Sequence, residues 1–317
     1  MTATTNTIPL VLDDRYRNTA MTRWNVDYSK LLAIAMEEDC GPGKESIRVA
    51  ELYATLSTAP QIVESQKYDD YAPTAGKDYY QGTDIFAFNF RASEELRLYG
   101  RVKAQLDKYA KLQAEINLQT LKVKLFNLLN NGFDSGYPIP YDSTELFSTS
   151  HTLANGGTGT NRLATDADLS EDTFEALIQL LAETVNEDGV VMSLNPAYLV
   201  TAMDQWGDTV RYTRSSTTVD QITAASAGAV QDSGNAINAV AAAYNIMPFN
   251  DPHILDPDAV FLTSNESPLR LLFADQGRFH LKESYVDRSN GDWVWPCKMR
   301  AATYAATWRG IVGTPGT

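Results

Sequence analysis

A serine and a histidine stand side by side at Ser150-His151, and a glycine-rich loop, GGTGT, follows at 156–160. A serine nucleophile needs an imidazole base within hydrogen-bond reach and a third group that orients the base. Neighbouring residues of an extended chain point to opposite faces, so this pair is poorly placed to form a dyad. The G-x-S-x-G nucleophile elbow is absent from the sequence. A cytosolic hydrolase that uses Ser150 and His151 is therefore the weaker alternative.

The other residues that could support chemistry do not form a recognisable site. The GGTGT loop lacks the G-x-x-x-x-G-K-[ST] spacing of a phosphate-binding loop, and no lysine follows it. Cys40 and Cys297 are too few and too far apart for a zinc motif or a disulfide framework. The sequence therefore predicts no catalytic residue, no cofactor and no metal site, and we expect a protein that is not an enzyme.

The composition limits the class of protein. With 44% hydrophobic and 21% charged residues, the 317-residue chain is typical of globular proteins. Its net charge of −14 argues against a protein that grips nucleic acid through the phosphates, because that requires a broad basic surface. The first residues lack the basic and apolar regions of a signal peptide, and no run approaches the about 18 apolar residues of a membrane span.

The first third of the chain is predicted to have little interior of its own. Residues 1–30 are polar and threonine-rich, which predicts an extended arm, followed by a short helix near 28–38. The run IFAFNF at 85–90 alternates with period two and is predicted to return from a strand at 61–68. The polar stretch at 69–82 would form the tip of this long hairpin. A two-stranded arm is marginal in water unless it packs on something else.

Aromatic side chains on the arm and the hairpin are therefore predicted to be buried against a neighbouring subunit or against the chain's own helix. These candidates are Tyr16, Trp24, Tyr68, Tyr71, Tyr79, Tyr80, Phe86, Phe88 and Phe90.

A very long helix is predicted next. Ser93 can cap it, the apolar spacing continues to Asn130, and Asn131-Gly132 supplies the stop. Such a helix would be about 55 Å long at about 1.5 Å per residue. The stretch 91–131 contains eight Lys or Arg and four Asp or Glu, so the remaining chain carries −18. The basic residues fit either a solvated helix surface or an acidic surface of another subunit lying along the helix.

The second half alternates helices and strands, which predicts a central mixed sheet flanked by helices. A helix capped by Ser170 has an apolar stripe from Phe174 to Val185. The remaining predicted elements are a strand at 190–194, a helix at 196–213, a loop at 215–234, a helix at 235–244, strands at 246–249 and 259–264, and a C-terminal hairpin that turns at Asn290-Gly291.

Three segments carry a resemblance to a known family. FNFRASEELRLYGRV (88–102) leads from the predicted hairpin into the long helix, and LFNLLNNGFDSGYPIPYDSTELFSTSHTL (125–153) closes that helix and ends in F-S-x-x-H. MRAATYAATWRGIVGT (299–314) is similar to a final strand of the same family. In this order they resemble the Hong Kong 97-type major capsid proteins of tailed double-stranded DNA phages, and among these the Mu-like head subunits.

The resemblance implies an α+β capsid fold with an N-terminal arm, an extended β-hairpin loop, a long spine helix, a peripheral domain and an axial domain. The implied division is 1–58 for the arm, 59–92 for the extended loop, 93–165 for the spine helix and first part of the peripheral domain, 166–265 for the axial domain, and 266–317 for the second part of the peripheral domain.

The resemblance also implies a function. Identical subunits would assemble as hexamers and pentamers into an icosahedral shell around phage DNA, without sequence-specific DNA binding and without a membrane. A scaffolding protein, a portal and a decoration protein would be further partners. The subunit would assemble in the host cytoplasm and reside in the virion. The runner-up is an encapsulin-like nanocompartment shell of the same fold.

Overall fold

The computed structural model describes residues 7–53, 74–93, 102–214, 236–274 and 280–317. The chain divides into two compact units, each assembled from separate stretches of sequence. Unit 1 contains the described residues within 1–47, 80–125 and 270–304, and unit 2 contains those within 48–79, 126–269 and 305–317. The five-part division implied by the family resemblance stays a prediction.

The helices are α1 (Thr7–Leu31), α2 (Val102–Asn130), α3 (Glu171–Ala182), α4 (Trp206–Arg214), which follows a 3-10 turn at Met203–Gln205, and α5 (Ala236–Ala243). The strands are β1 (Met36–Asp39), β2 (Ser46–Tyr53), β3 (Thr74–Gly82), β4 (Asp84–Ala92), β5 (His151–Thr152), β6 (Thr158–Gly159), β7 (Pro196–Thr201), β8 (Met247–Asn250), β9 (Val260–Ser264), β10 (Leu269–Phe273), β11 (His280–Leu281), β12 (Tyr285–Val286), β13 (Trp293–Ala305) and β14 (Ile311–Thr314). In the described ranges, no helix combines the length and the apolar run that a membrane crossing needs.

Unit 1 is built on a six-stranded sheet centred on β13. The sheet order is β1-β10-β13-β11, and β4 and β12 also pair with β13. Strand β4 runs antiparallel to β13 along its whole length. Trp295, Cys297 and Met299 alternate on β13 and are buried, as expected for a strand with one covered face.

Helix α1 covers part of this sheet, so the predicted extended conformation of residues 1–30 is wrong from Thr7 onward. Tyr16, Ala20, Trp24 and Tyr28 recur every four residues and are all buried, which places them on one face of the helix. The ring of Tyr16 stacks on that of Trp295 at 5.2 Å. This segment has a polar composition, and packing on a strand that is distant in sequence therefore stabilises its helical form.

Helix α2 lies beside α1 in unit 1. Arg15 pairs with Asp107 at 2.6 Å and Arg23 with Glu115 at 3.0 Å. Both pairs are separated by 92 residues, so the two helices run side by side in the same direction. Within unit 1, α1 is thus a neighbour of the basic helix. The predicted end of α2 at Asn130 is confirmed, while residues 94–101 of the predicted helix lie outside the described residues.

The predicted hairpin tip is partly wrong. Residues 74–82 form strand β3, which pairs with β2 in a two-stranded sheet. An ion pair between Arg48 and Asp78 joins these two strands. The described partner of β4 is β13, and the predicted partner at 61–68 lies outside the described residues. Strand β4, which carries the alternating aromatic residues, pairs with a long strand near the other end of the chain. No local sequence pattern predicts this pairing.

Unit 2 contains the predicted mixed sheet, in the order β14-β9-β7-β8. Helix α3 packs on it through the predicted stripe, with Phe174, Leu177 and Leu181 buried. Ser170 caps α3 as predicted, since its side chain accepts a hydrogen bond from the N–H of Thr173. The strands predicted near 246–249 and 259–264 and the helix predicted near 235–244 are also confirmed.

Two predictions in unit 2 are wrong. Pro196–Thr201 is strand β7 rather than the start of a helix, and the helix of this region begins only at Trp206. Five of the six β7 residues are buried, and a short apolar run of this kind fits a buried strand and a buried helix equally well in sequence. The predicted strand at 190–194 is reduced to a single bridge between Val185 and Val191. The predicted loop at 215–234 lies outside the described residues.

Candidate functional site

The Ser150-His151 pair does not form a dyad. The side chain of His151 is fully buried, and its Nδ1 lies 2.6 Å from Asp142 Oδ2 while its Nε2 lies 3.0 Å from Asn161 Oδ1. The imidazole also stacks on Trp308 at 4.5 Å between ring centroids. Ser150 is exposed, and its N–H donates to Ser148 Oγ. Because both imidazole nitrogens are engaged elsewhere, the hydrolase hypothesis based on this pair is wrong.

Asn161 determines how His151 bonds. Its Nδ2 donates to the carbonyls of Leu146, Trp308 and Ile311, which identifies Oδ1 as the acceptor end of the amide. His151 Nε2 must therefore donate to that oxygen, while Nδ1 faces a carboxylate. Both ring nitrogens of the buried His151 therefore have side-chain partners, Asp142 and Asn161.

A second buried network surrounds Glu187. Arg309 Nη2 lies 3.1 Å from Glu187 Oε1, with the two side chains 2% and 0% exposed. Tyr141 donates to Oε1 at 2.5 Å, and the N–H of Ala154 donates to Oε2 at 2.6 Å. The Arg309 Nε also donates to the carbonyl of Val185 at 2.7 Å. The carboxylate and the guanidinium therefore have several partners each, as a buried pair requires.

The environment of Glu187 changes its ionisation. Burial by itself would raise the pKa of Glu187, but the Tyr141 hydrogen bond, the positive charge of Arg309 and the Ala154 N–H together lower it. The folded protein therefore favours the charged form of this carboxyl group.

The F-S-x-x-H segment has a structural role in unit 2. Phe147 stacks on Phe133 at 4.7 Å and contacts Phe261 at 5.1 Å. A methyl group at Gly132 would overlap the Phe147 ring, so this glycine permits the close approach. Together with His151, these residues fasten the loop after α2 to the sheet and to the C-terminal segment.

The predicted contact aromatics fall into three groups. Tyr16 and Trp24 are buried in unit 1 on α1. Phe86, Phe88 and Phe90 are half-buried on β4. Tyr79 donates to the carbonyls of Ala305 and Ala306 at 3.1 Å, and Tyr80 is 74% exposed. Tyr68 and Tyr71 lie outside the described residues.

The β4 aromatics contact α2 of the same unit. The ring of Phe90 stacks on Tyr109 at 5.6 Å, and Lys124 Nζ lies 5.4 Å from the centroid of the Phe86 ring. Phe88 meets Phe90 edge-on at 5.9 Å. All three rings are partly exposed.

Sequence reasoning did not single out several exposed apolar residues of unit 2. Met203, Trp206 and Leu255 are all more than half exposed. Met203 and Trp206 lie within the helix predicted at 196–213, and Leu255 lies between the strands predicted at 246–249 and 259–264, so no pattern singled them out. Whether these side chains are exposed depends on the packing of the segments after β7 and β8, which the sequence does not show.

No protein-family model matches the chain, and no curated protein matches it. Solved structures resemble it along most of its length. A chain of a virus-like particle from Pyrococcus furiosus matches with a TM-score of 0.51 at 11% identity, over 95% of this chain and 98% of that one. A chain of Microbacterium phage Oxtober96 matches with a TM-score of 0.52 at 12% identity, over 89% of each chain. The chain has the Hong Kong 97-type capsid fold.

A third structure with this fold is an encapsulin. The SrpI encapsulin complex from Synechococcus elongatus matches with a TM-score of 0.50 at 10% identity, over 90% of this chain and 85% of that one. The α+β capsid fold expected from the resemblance is thus confirmed. The identities are low enough that the likenesses concern the fold alone.

Proposed function

We propose that this chain is the major capsid protein of a tailed double-stranded DNA phage, with identical copies assembling into a closed shell. The observation that carries the proposal is the match in fold to a chain of a virus-like particle, over nearly the full length of both chains. The segments that resemble phage head proteins, within 85–161 and 279–314, support the phage assignment and the Mu-like variant in particular.

The surface of the chain is consistent with association. Large apolar side chains are exposed in both units, among them Tyr80 and Ile85 in unit 1 and Trp206 and Leu255 in unit 2. Burial of such side chains against further copies would contribute favourably to assembly. Contacts that are individually weak gain strength in a closed lattice, because each additional contact of a bound copy forms within the assembly.

The remaining aromatic candidates are proposed as contacts between copies. Tyr80 is 74% exposed, and Phe86, Phe88 and Phe90 are partly exposed. Tyr68, Tyr71 and Tyr79 belong to the same extended loop in the proposed domain division. Tyr16 and Trp24 are buried, so we propose that they support α1 rather than reach a neighbour directly.

The proposed partners follow from the phage assignment. They are further copies in hexamers and pentamers, a scaffolding protein, a portal and a decoration protein. The subunit would assemble in the host cytoplasm and remain in the virion. A net charge of −14 would limit adhesion to packaged DNA, which supports a shell that encloses DNA without binding its sequence.

Expression in a bacterial host, alone and with the products of neighbouring genes, tests the proposal. We expect fast-sedimenting particles that appear as uniform closed shells in negative-stain electron microscopy. A chain that stays monomeric at all concentrations under both conditions would contradict it.

The second candidate is a cellular nanocompartment, which the match to an encapsulin favours. Particles isolated from the cells that naturally express the gene distinguish the two candidates. Nuclease-protected DNA of phage-genome length inside the particles supports the capsid, whereas an enclosed protein without such DNA supports the compartment.

A further inference from the structure

Helix α2 carries large apolar side chains on its exposed face. Leu112, Ile116 and Val123 are 45%, 44% and 41% exposed. At about 100° per residue, Ile116 and Val123 lie within about 40° of Leu112 around the helix axis. At about 1.5 Å per residue, the three span about 17 Å along it. They therefore lie together on one face of the helix, called here the α2 stripe.

The stripe lies opposite the face by which α2 packs in unit 1. Ala110, Ala114 and Leu121 are buried on that opposite face, about half a turn away around the axis. A surface helix of a globular protein normally has a polar outer face. Single exposed apolar residues are common, but the core of unit 1 does not account for three on one outer face.

The spacing along the stripe is that of a helix which pairs with another helix. Leu112, Ile116, Gln119 and Val123 follow one another at intervals of four, three and four residues, and all four are exposed. This alternation keeps one seam facing a partner helix, and leucine and β-branched residues are the usual contact residues of such seams. The stripe therefore fits a partner helix of about two heptads.

The acidic residues of α2 are already paired. They are Asp107 and Glu115. Asp107 accepts hydrogen bonds from two nitrogens of Arg15 on α1, and Glu115 lies 3.0 Å from Arg23 on the same helix. The charges of the two arginines therefore offset those of the two carboxylates.

Two lysines lie on this same side of the stripe. Lys108 is about one turn before Leu112, and Lys111 is next to it in sequence; both lysines are exposed. Within the described residues, no ion pair holds either of them. The pKa of Asp107 is lowered mainly by its hydrogen bond with Arg15, and the charge of Lys111 adds a smaller effect. Acidic groups of a partner would complement these lysines.

A depression between α1 and α2 offers room beside Lys111. Its volume is about 370 Å³, and Thr19, Thr22 and Val26 of α1 also line it. A carboxylate in this depression can accept hydrogen bonds from the threonine hydroxyls and from the ammonium group of Lys111.

We propose that the α2 stripe is the docking site for an amphipathic helix of another protein, one whose apolar face is flanked by acidic residues. The apolar face of that helix covers Leu112, Ile116 and Val123, and its carboxylates meet Lys108 and Lys111. The inference goes beyond the proposed function and does not depend on it.

The chemistry of the stripe disfavours the other occupants. Two copies of α2 packed through their stripes would bring lysines together. Of the other helices described in a second copy, α1 and α3 bury their main apolar faces, α4 ends in Arg211 and Arg214, and α5 has no charged residue. Nucleic acid is bound mainly through its phosphates, for which the apolar side chains of the stripe offer no group.

A synthetic peptide tests the apolar contact. The probe is a helical peptide of about 21 residues, with leucine and isoleucine at the contact positions and glutamate at the flanking positions. We expect saturable binding to the full chain, measured by fluorescence anisotropy below the concentration at which the chain assembles. Leu112→Gln/Ile116→Gln should weaken binding at least about tenfold.

A matched control makes this test specific. Val191→Gln/Leu255→Gln changes two exposed apolar residues of unit 2 and should leave binding unchanged. Circular dichroism and thermal melting check that both variants fold. A parent chain that does not bind the peptide, or equal weakening by the two variants, would overturn the proposal.

Charge reversal tests the acidic flank. Lys108→Glu/Lys111→Glu should lose the acidic peptide and gain the same peptide with lysine in place of glutamate. Lys44→Glu/Lys282→Glu changes two exposed lysines elsewhere, makes the same change in net charge, and should keep the preference of the parent. Equal binding of the acidic and basic peptides to the parent would overturn the proposal. If Lys108→Glu/Lys111→Glu does not fold, Lys108→Gln/Lys111→Gln decides, because its binding of the acidic peptide should depend less on salt than that of the parent, and an equal salt dependence would overturn the proposal.

Two further results would assign the stripe to another occupant and overturn the proposal. One is a parent chain that sediments as a dimer without peptide and becomes a monomer in Leu112→Gln/Ile116→Gln, which would identify a second copy. The other is duplex DNA that displaces the peptide from the parent, which would identify nucleic acid. Peptide binding is measured apart from shell formation, so failure of this inference and failure of the proposed function are distinguishable.

Discussion

The buried ion pair of Glu187 and Arg309 gives a direct test of how unit 2 is held together. Changing Arg309 to Met removes the guanidinium and keeps an apolar stem of similar length. Glu187, which is fully buried, then loses a positive partner at 3.1 Å. At an effective dielectric constant of about 20, the lost attraction is about 5 kcal/mol. Removing one partner of a buried pair costs about 3–5 kcal/mol in general.

The remaining contacts place the expected value toward the lower end of this range. Tyr141 and the N–H of Ala154 still donate to the carboxylate after the change, so Glu187 is not left without partners. We therefore expect Arg309→Met to lower the free energy of unfolding by about 3 kcal/mol. Urea unfolding of the unassembled chain, followed by circular dichroism, measures this value.

Two comparisons make the test specific. Arg162→Met breaks a partly exposed pair with Asp166 in the same unit and should cost no more than about 1 kcal/mol. The double variant Arg309→Met/Glu187→Leu removes both charges and should be more stable than the sum of the two single changes predicts. The reasoning is refuted if Arg309→Met costs no more than Arg162→Met, or if the two single effects simply add.

Three further predictions concern stability. The folded state lowers the pKa of Glu187. The contribution of Glu187 to stability is therefore complete above its unfolded pKa of about 4.3 and is lost as the pH falls through the folded value. Glu187→Gln should flatten the fall of Tm below about pH 5 in calorimetry, and an unchanged slope would count against this. Gly159→Ala should lower the free energy of unfolding by about 1–3 kcal/mol, because the new methyl group would overlap the Trp308 ring. In the control Gly82→Ala, the methyl group meets nothing within 4 Å, and the free energy should change by no more than about 0.5 kcal/mol. Equal effects of the two variants in urea unfolding would show that the Gly159 contact is not tight. Ser170→Ala should cost about 1 kcal/mol through loss of the helix cap, and a change below about 0.3 kcal/mol in the same assay would contradict the capping role.

Elements with a strong local pattern could be predicted from the sequence. Helix α3 has its apolar stripe, its cap at Ser170 and acidic residues in its first turn, so every local preference agrees with the final fold. The end of α2 at Asn130 and strands β8 and β9 were predicted for the same reason. The capsid fold itself was expected from three segments of the chain, because their order resembles that of a known family.

Elements that depend on distant partners could not be predicted. The face of α1 contains Tyr16 and Trp24 among polar neighbours, and Tyr16 stacks on Trp295, which lies almost 280 residues further along the chain. Strand β7 reads as a buried helix until β8 and β9 pair with its two edges. The hydrophobic pattern of a strand does not identify the strand with which it pairs, so the pairing of distant strands cannot be predicted from either pattern.

The same division applies to the residues that could have done chemistry. The sequence alone determined that a serine and a histidine are adjacent, that the chain is acidic, and that no nucleophile elbow or phosphate-binding loop is present. Only the tertiary structure decided that His151 faces Asp142 and Asn161 instead of Ser150, and that Glu187 meets Arg309. The physical reason is that the partner of a buried charge is set by which backbone segments the fold brings within about 3 Å, a distance that is not encoded in the spacing along the chain.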